Sequence, residues 1–255
     1  MIKAVIFDLG DTLLYYRDLE SEDQEHHFRR VTQLGIKAVY MRLTEKGLSI
    51  KADSLGEVVD RHIVAVVKEH EASLRSETVE TPIRAAFEEL GAKIDDSLWE
   101  EVRPAFYTEI DKLPKPRPGL HSTLEWLKEN GYALGIISNT FWASDVHDRH
   151  LHEAGIAHYF PVRVYSCDEP FTKPHASIYQ TAVSRLGVSV EEAVYIGDKV
   201  AIDVFGAQQA GLRGALIRVP FREESFEAAT PDAVLDDLPD LIPTLTKWRA
   251  EDGES

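Results

Sequence analysis

The amino-acid sequence predicts an α/β fold, a doubly wound parallel sheet with an inserted helical domain. Short runs rich in Val and Ile recur along the chain, as expected for strands that are covered on both faces. Helical patterns lie between most of these runs, and this alternation is typical of a parallel sheet with helices on both sides. A third observation is one long segment near the N-terminus that contains helical patterns and no good strand.

Six short apolar runs are the predicted strands. They are, in chain order, Ala4–Phe7, Ala133–Ile137, Val162–Tyr165, Ala193–Ile196, Ala215–Val219 and the weaker Ala233–Leu235. The helical patterns between them are Gly119–Asn130, Asp145–Ala154, Ala176–Leu186 and Ala201–Ala210. Residues 1–14 and 115–255 are therefore expected to form the α/β core.

The segment 15–114 interrupts this alternation and predicts a separate helical domain. Its amphipathic stretches are roughly 21–47, 54–73, 82–91 and 97–111. Ser97-x-x-Glu100 has the pattern of a capping box at the start of the last stretch. We expect the domain to join the core through two crossings, Tyr15–Asp18 and the proline-rich Leu113–Gly119, where the prolines stiffen the connector.

Charge and composition narrow the classes of partner. The net charge of -16 arises from 44 acidic and 28 basic residues, which argues against nucleic acid or an anionic membrane as the main partner. No apolar stretch approaches the ~18–20 residues that span a bilayer, and we see no signal segment. Cys167 is the one cysteine, so an intramolecular disulfide is impossible, and we expect a cytoplasmic protein.

Polar side chains follow four of the predicted strands, three of them immediately and the third strand by a short loop. In an open parallel sheet, ligands bind beyond the carboxyl ends of the strands, so these residues are expected to meet at one edge. The set consists of Asp8 and Asp11 after the first strand, Ser138, Asn139 and Thr140 after the second, Lys173 after the third, and Asp198 with Asp203 after the fourth. Carboxylates, a hydroxyl and an ammonium would then face one pocket.

This set of groups suits the binding and transfer of a phosphoryl group. Mg²⁺ prefers oxygen ligands, which Asp8, Asp198 and a backbone carbonyl would supply. Lys173 and Ser138 would hold the other side of the phosphate, and Asp8 is placed to attack phosphorus as a nucleophile. The cation and the lysine would neutralise charge on the phosphoryl oxygens as it redistributes.

Four short motifs carry a resemblance to a known family. They are Phe7-Asp-Leu-Gly-Asp-Thr-Leu13, Ile136-Ile-Ser-Asn139, Lys173-Pro174 and Ile196-Gly-Asp, which Asp203 follows. In this order, each at a strand end, they resemble the motifs of the haloacid dehalogenase-like (HAD) hydrolase superfamily. The resemblance implies a Rossmann-like core, a helical cap over the site, Mg²⁺ as the cofactor and a small phosphorylated substrate.

The resemblance also assigns roles to individual residues. It implies that Asp8 is the nucleophile, that Ser138 and Asn139 contact the substrate, and that Lys173 organises the charges. The metal would be held by Asp8, Asp198 and the backbone carbonyl of Gly10, as the family implies. Asp203 would be a further ligand or the partner of a ligand.

The first motif departs from the family pattern at Gly10. The family's phosphatases have a second aspartate at this position, which protonates the leaving group and then activates water. Here Asp11 stands one place further on. If the turn begins after Asp8, the freedom of Gly10 lets Asp11 take over as acid/base. The alternative is that Asp11 only stabilises the turn through its own backbone.

Three functions therefore compete at the level of sequence. The first is a magnesium-dependent phosphatase. The second is a hydrolytic dehalogenase, because that branch of the family dispenses with the second aspartate, although it also dispenses with the metal. The third is a weakly active or non-catalytic relative that binds phosphate. Asp198 and Asp203 favour the phosphatase.

Three histidines on one predicted helix invite a metal-site interpretation. His147, His150 and His152 do not all face one point on a helix, because only the first two are near neighbours. We interpret them as a polar helix face.

Overall fold

All six predicted strands lie side by side in one parallel sheet. The computed structural model describes residues 1–16, 24–75, 77–223 and 225–253. The strands are β1 (Ala4–Phe7), β4 (Ala133–Ser138), β5 (Val162–Tyr165), β6 (Ala193–Gly197), β7 (Arg213–Ile217) and β8 (Ala233–Leu235), in the order β5-β4-β1-β6-β7-β8. Two shorter strands, β2 (Leu14–Tyr15) and β3 (Lys115–Pro116), pair with each other in antiparallel orientation.

Helices connect the strands of the sheet as the alternation predicts. They are α5 (Leu120–Glu129), α6 (Ser144–Glu153), α7 (Ala176–Leu186) and the short α8 (Phe205–Gln209), which a π-helical turn, Val200–Val204, precedes. A further helix, α9 (Leu241–Gly253), follows β8 and is not among the predicted helices. Its buried residues Leu241, Leu245 and Trp248 follow helical spacing, so the signal for this helix was present.

The described residues between β2 and β3 form four further α-helices. They are α1 (Gln24–Glu45), α2 (Leu55–Ser73), α3 (Glu80–Glu89) and α4 (Asp96–Tyr107). The first crossing and the predicted start of the first helix fall partly on residues 17–23, outside the described residues. The capping box predicted at Ser97 is wrong, because α4 is capped by Asp95, whose carboxylate accepts a hydrogen bond from the Leu98 N–H.

The hydrophobic core is divided among clusters that follow this architecture. Successive residues of β1 point to opposite faces of the sheet, so Phe7 and Ile6 belong to two different clusters. Helices α1–α4 share a cluster of their own, which also takes in Trp142 and Val146 from the neighbourhood of α6. No helix within the described residues has the length and apolar character needed to cross a membrane.

Candidate active site

The register of the sheet places Asp8 between the ends of two neighbouring strands. Phe7 lies beside Ile136 of β4 on one side and beside Ile196 of β6 on the other. The Asp8 N–H then donates to the Ile196 carbonyl over 2.8 Å, which extends the ladder by one residue. The carboxylate of Asp8 therefore emerges at the carboxyl edge of the sheet, at its centre.

Lys173 joins two of the predicted carboxylates. Its Nζ donates to Asp8 Oδ1 over 2.8 Å, to Asp203 Oδ1 over 2.7 Å and to the Tyr195 hydroxyl over 2.7 Å. All three ammonium protons are thereby used. The Tyr195 hydroxyl in turn donates a hydrogen bond to the Ile137 carbonyl over 3.0 Å. The lysine is buried and held in one position from several sides.

Asp203 can approach Lys173 closely because Gly197, at the end of β6, has no side chain. The wide π-helical turn Val200–Val204 follows it and carries Asp203. A Cβ atom at Gly197 would lie 2.3 Å from Asp203 Cγ, so glycine is required there for the close approach. The second oxygen of Asp203 accepts a hydrogen bond from the Lys199 N–H over 2.9 Å. Both Asp203 oxygens are thus engaged by the protein itself.

Asp198 completes a group of carboxylates that fits a metal ion. One oxygen from each of Asp8, Asp198 and Asp203 lies within 4.8 Å of the others, and all three residues are buried. We call these three residues together with Lys173 the carboxylate cluster. Asp198 Oδ1 is buried and accepts no hydrogen bond from the described residues. An oxygen-only donor set with one unsatisfied buried oxygen suits a hard divalent cation such as Mg²⁺.

Charge and burial shift the pKa values of this cluster. Burial raises the pKa of Asp198 to about 7, and the neighbouring Asp203 and Asp8 carboxylates add to the rise. Burial also raises the pKa of Asp8, although the Lys173 ammonium works in the opposite direction. For Lys173, burial alone would lower the pKa, but Asp203 and Asp8 outweigh it, so the pKa lies above its usual value and the lysine stays charged.

Asn139 and Ser138 lie together at the end of β4 and have different surroundings. The Asn139 side chain donates from Nδ2 to the Lys173 carbonyl over 2.9 Å and accepts from the Lys173 N–H at Oδ1 over 2.8 Å. Both polar ends of this amide therefore hold the Lys173 backbone. The buried Ser138 hydroxyl makes no hydrogen bond to the described residues, which leaves it available for a ligand.

At the departure from the family motif, the backbone of Asp11 adopts an unusual conformation. Asp11 has a φ of 60°, a left-handed conformation that normally favours glycine and that aspartate tolerates better than most residues. Its N–H donates to the Leu14 carbonyl over 2.8 Å, and its carbonyl accepts from Arg117 Nη1 over 3.0 Å. These contacts support the turn-forming interpretation of Asp11.

Gly10, in contrast, does not need to be glycine. A Cβ atom at this position would have Tyr16 Cδ2, at 3.8 Å, as its nearest neighbour, which is ordinary van der Waals distance. The backbone of Gly10 also lacks a positive φ. The structure therefore has space for a Cβ atom at this position and a backbone that residues other than glycine adopt.

The histidine helix is not the polar surface face that the sequence analysis expected. His147 and His150 are buried, and both Nδ1 atoms contact the Tyr16 hydroxyl, at 3.3 and 3.2 Å. His147 Nε2 lies 2.6 Å from Thr140 Oγ1, and His150 Nε2 lies 2.9 Å from Asp111 Oδ1. We call these five residues the histidine cluster. Burial, with His150 nearby, lowers the pKa of His147 to about 3, so this ring is neutral.

Two contacts at the site had no signal in the sequence. Arg222 Nη2 donates to the Asp198 carboxylate and to the Asp198 carbonyl, the latter over 3.1 Å. Tyr195 lies inside the predicted strand Ala193–Ile196, and its hydroxyl accepts a hydrogen bond from Lys173. Cys167 has no role here, because burial raises its pKa to about 12 and the thiol stays protonated.

Comparison with known proteins identifies the family. The chain matches a model for a class of hydrolases over residues 2–211. The class is the haloacid dehalogenase-like hydrolases, and the chain belongs to this family. The match confirms the resemblance and the α/β fold class that the four motifs predicted, and it makes the protein an enzyme.

Named relatives include two phosphatases. The glyceraldehyde 3-phosphate phosphatase of Methanopyrus kandleri is 30% identical over 241 residues, which cover 94% of this chain and 92% of that protein. The pyrophosphatase PpaX of Bacillus cereus is 31% identical over 160 residues, covering 61% of this chain and 73% of its own length.

Solved structures show the same fold over nearly the whole chain. A HAD phosphatase from Thermococcus onnurineus has a TM-score of 0.65 at 25% identity, with coverage of 96% of this chain and 98% of its own. A 2-haloacid dehalogenase from Pseudomonas syringae has a TM-score of 0.68 at 24% identity, with coverage of 97% and 100%. The second likeness concerns the fold alone.

Proposed function

We propose that this enzyme is a magnesium-dependent phosphatase that acts on a small phosphorylated metabolite through a phosphoryl group bound to Asp8. The observation that carries the proposal is the buried Lys173 ammonium, 2.8 Å from Asp8 and 2.7 Å from Asp203, beside the partly unsatisfied Asp198. The phosphatase names of the relatives support this reaction type. They also make glyceraldehyde 3-phosphate and inorganic pyrophosphate the first substrates to test.

The reaction has two steps, and both use Asp8. One oxygen of Asp8 is bound to Lys173, and no described residue donates to the other oxygen, Oδ2, which we propose attacks phosphorus. An O–P bond to Asp8 forms as the P–O bond to the leaving group breaks, and the leaving oxygen takes up a proton. Water then attacks phosphorus, gives up a proton, and releases phosphate with the Asp8 carboxylate restored.

The other residues hold and neutralise the phosphoryl group. Lys173 stays charged and offsets the negative charge of the transferring group, and the Ser138 hydroxyl donates to it. Asn139 positions Lys173 through both ends of its amide, so we propose this role for it in place of direct substrate contact.

A bound Mg²⁺ would be held by the carboxylates of Asp8 and Asp198 and by the Gly10 carbonyl, and it would supply positive charge beside the phosphoryl oxygens. The two oxygens of Asp203 already bind Lys173 and the Lys199 N–H. We therefore propose that Asp203 fixes Lys173 and leaves direct metal binding mainly to the other two aspartates.

The proton transfer to the leaving group is the step that the motif leaves open. Asp11 is our sequence-based candidate for this role, but its backbone is fixed in the turn. Position 10 has space for a Cβ atom and a backbone without a positive φ. A missing general acid/base typically lowers the rate by about 10²–10⁴-fold, so we expect a slow enzyme.

We propose that residues 15–114 form the cap that selects the substrate. Two hydrogen bonds join this segment to loops at the site. The Val79 N–H donates to the Phe141 carbonyl over 2.6 Å, and the Thr172 N–H donates to the Leu74 carbonyl over 2.8 Å. Phe141 follows the Ser138 loop and Thr172 precedes Lys173, so the position of the cap is tied to both phosphate-binding elements.

The test is hydrolysis of p-nitrophenyl phosphate with and without Mg²⁺. We expect Mg²⁺-dependent turnover that falls by at least about 10³-fold in Asp8→Asn, because the nucleophile is removed. Asp148→Asn is the matched control. Asp148 is a half-exposed aspartate of α6 that pairs with Arg163 of β5 and does not belong to the carboxylate cluster. Equal activity of Asp8→Asn and the wild type would refute the proposal.

A dehalogenase remains the alternative that Gly10 favours. Such an enzyme would release chloride from a 2-haloacid without Mg²⁺, with Asp8 attacking carbon. Chloride release in the presence of a chelator, together with no hydrolysis of phosphate esters, would select this alternative over the phosphatase.

A further inference from the structure

Arg222 is a charged side chain at the site that belongs to none of the four motifs. It lies beyond β7, where a bridge between Val219 and Arg222 closes a tight turn. This turn directs the guanidinium to Asp198, to which Nη2 donates at both the carboxylate and the backbone carbonyl. The Asp198 side chain is 1% exposed and that of Arg222 is 27% exposed, so the arginine covers the aspartate from the solvent side.

The charges of the carboxylate cluster explain why such a contact forms. Lys173 pairs with Asp8 and Asp203 but donates no hydrogen bond to Asp198. Arg222 forms the ion pair with Asp198. A buried carboxylate beside two others is unfavourable unless a cation compensates it, and Arg222 supplies that compensation.

A divalent cation at the unsatisfied Asp198 Oδ1 and the Arg222 guanidinium at Asp198 Oδ2 would lie on the same carboxylate and repel each other. The ion needs the Asp198 carboxylate, and a guanidinium that stays on the same group repels it strongly at this short range. A cavity of about 680 Å³ adjoins the contact and is lined by Asp198, Phe221, Arg222 and the neighbouring loop residues. The arginine therefore has space into which it can move without becoming buried elsewhere.

We propose that Arg222 is a built-in counter-ion that holds Asp198 in the metal-free enzyme and that Mg²⁺ displaces, so that this residue lowers the affinity for the metal. The inference rests on the proposed function, because it takes the carboxylate cluster as the metal site. Arg222 is in this account a positioning residue, and its effect is on metal binding and on the stability of the metal-free protein.

The test is Mg²⁺ binding to the whole chain, measured by isothermal titration calorimetry, for the wild type, Arg222→Gln and Arg222→Lys. Removing the competing charge is expected to tighten Mg²⁺ binding by about 5–20-fold in Arg222→Gln, with a smaller effect in Arg222→Lys. Arg218→Gln is the matched control. Arg218 lines the same cavity, but its exposed guanidinium pairs with Asp236, so its removal should change the dissociation constant less than about twofold.

Thermal unfolding gives a second readout that does not depend on activity. Without metal, Arg222→Gln should unfold at a lower temperature than the wild type, because Asp198 loses its counter-ion, and saturating Mg²⁺ should remove the difference. Unchanged or weaker Mg²⁺ binding in both Arg222 variants would overturn the inference while leaving the phosphatase proposal intact. If neither the wild type nor any variant bound Mg²⁺, both proposals would fail.

Discussion

Two polar clusters of this enzyme, the histidine cluster and the carboxylate cluster, differ in how well their hydrogen bonds are satisfied. In the histidine cluster, one set of tautomers satisfies every contact. Thr140 donates to His147 Nε2, His147 Nδ1 donates to the Tyr16 oxygen, Tyr16 donates to His150 Nδ1, and His150 Nε2 donates to Asp111. The chain of donors ends on a carboxylate, so each of these contacts has one donor and one acceptor.

In the carboxylate cluster, by contrast, the hydrogen-bonding groups are not all paired. Asp198 Oδ1 has no donor within the described residues, and the carboxylates of Asp8, Asp198 and Asp203 lie close together. Burial and polarity alone therefore do not identify a reacting site. Unsatisfied oxygens and unbalanced like charges do, because a protein retains such costly features where a ligand completes them. The hydrogen bonds of the histidine cluster are satisfied among its own residues. The cluster therefore holds α6, the turn at Asp111 and the segment at Tyr16 together.

Removal of Lys173 should have the largest effect of these substitutions, because it lowers both the activity and the stability of the enzyme. In Lys173→Met we expect phosphatase activity to fall by at least about 10³-fold. We also expect a loss of about 3–5 kcal/mol in the free energy of unfolding, since two buried carboxylates lose their cation. Urea unfolding and p-nitrophenyl phosphate turnover measure the two effects. Lys199→Met, an exposed lysine at the same edge, should change the unfolding free energy by less than about 0.5 kcal/mol.

Restoring the family's aspartate should change activity in the opposite direction. We expect Gly10→Asp to raise the turnover number by about 10²-fold, because a general acid/base typically contributes this much and position 10 has space for a Cβ atom. Steady-state kinetics at saturating Mg²⁺ measures the effect. Asp11→Asn is the companion variant and should change turnover only a few-fold. A loss of activity in Gly10→Asp, with a loss of about 10²-fold in Asp11→Asn, would instead assign the proton transfer to Asp11.

Disruption of the histidine cluster should affect stability and spare the chemistry. His150→Phe removes the contact of His150 Nε2 with Asp111 and the contact of His150 Nδ1 with the Tyr16 hydroxyl, and we expect about 2–3 kcal/mol of destabilisation. The turnover number of the folded enzyme should stay within about threefold of the wild type. His152→Gln is the matched control on the same helix, and because His152 is exposed it should change stability by less than about 0.5 kcal/mol. A large loss of turnover in folded His150→Phe would contradict the structural role.

The pH dependence of stability should carry the signature of His147. Its pKa of about 3 in the folded state lies below the usual value of 6.5, so between these values the unfolded chain binds a proton that the folded chain does not. Stability should therefore fall as the pH drops below about 6.5, by about 2 kcal/mol from this residue at pH 5. Urea unfolding at pH 7 and pH 5 measures the loss. In His147→Asn the loss between the two pH values should shrink by that amount, whereas His152→Gln should behave as the wild type does.

The catalytic edge was predictable because local patterns determine it. Each strand that carries a site residue is a short apolar run, and parallel pairing brings the ends of such runs together. Asp8 and Asp198 follow their strands directly and Ser138 is the last residue of β4, so a small error in a strand boundary does not move them. The start of β7 illustrates such an error. It begins at Arg213, two residues before the predicted Ala215, because Arg213 still pairs with Val194 of β6 in the parallel ladder.

Contacts that depend on tertiary packing were beyond reach of the sequence. The Tyr16 hydroxyl meets His147 and His150 across separations of 131 and 134 residues, so helical spacing alone could not show that these histidines are buried. Arg222 reaches Asp198 from a loop 24 residues further along, with no motif to mark it. In both cases the partner that makes the residue important lies on another element.

The central claim is that Asp8 carries the phosphoryl group, and peptide mass spectrometry of the enzyme tests it most directly. The enzyme is mixed with substrate and Mg²⁺, quenched in acid during turnover, and digested. The account predicts a peptide that contains Asp8 with the added mass of a phosphoryl group, sensitive to hydroxylamine and absent from Asp8→Asn. Active turnover with an unmodified Asp8 peptide, or with the phosphoryl group on another residue, would contradict it.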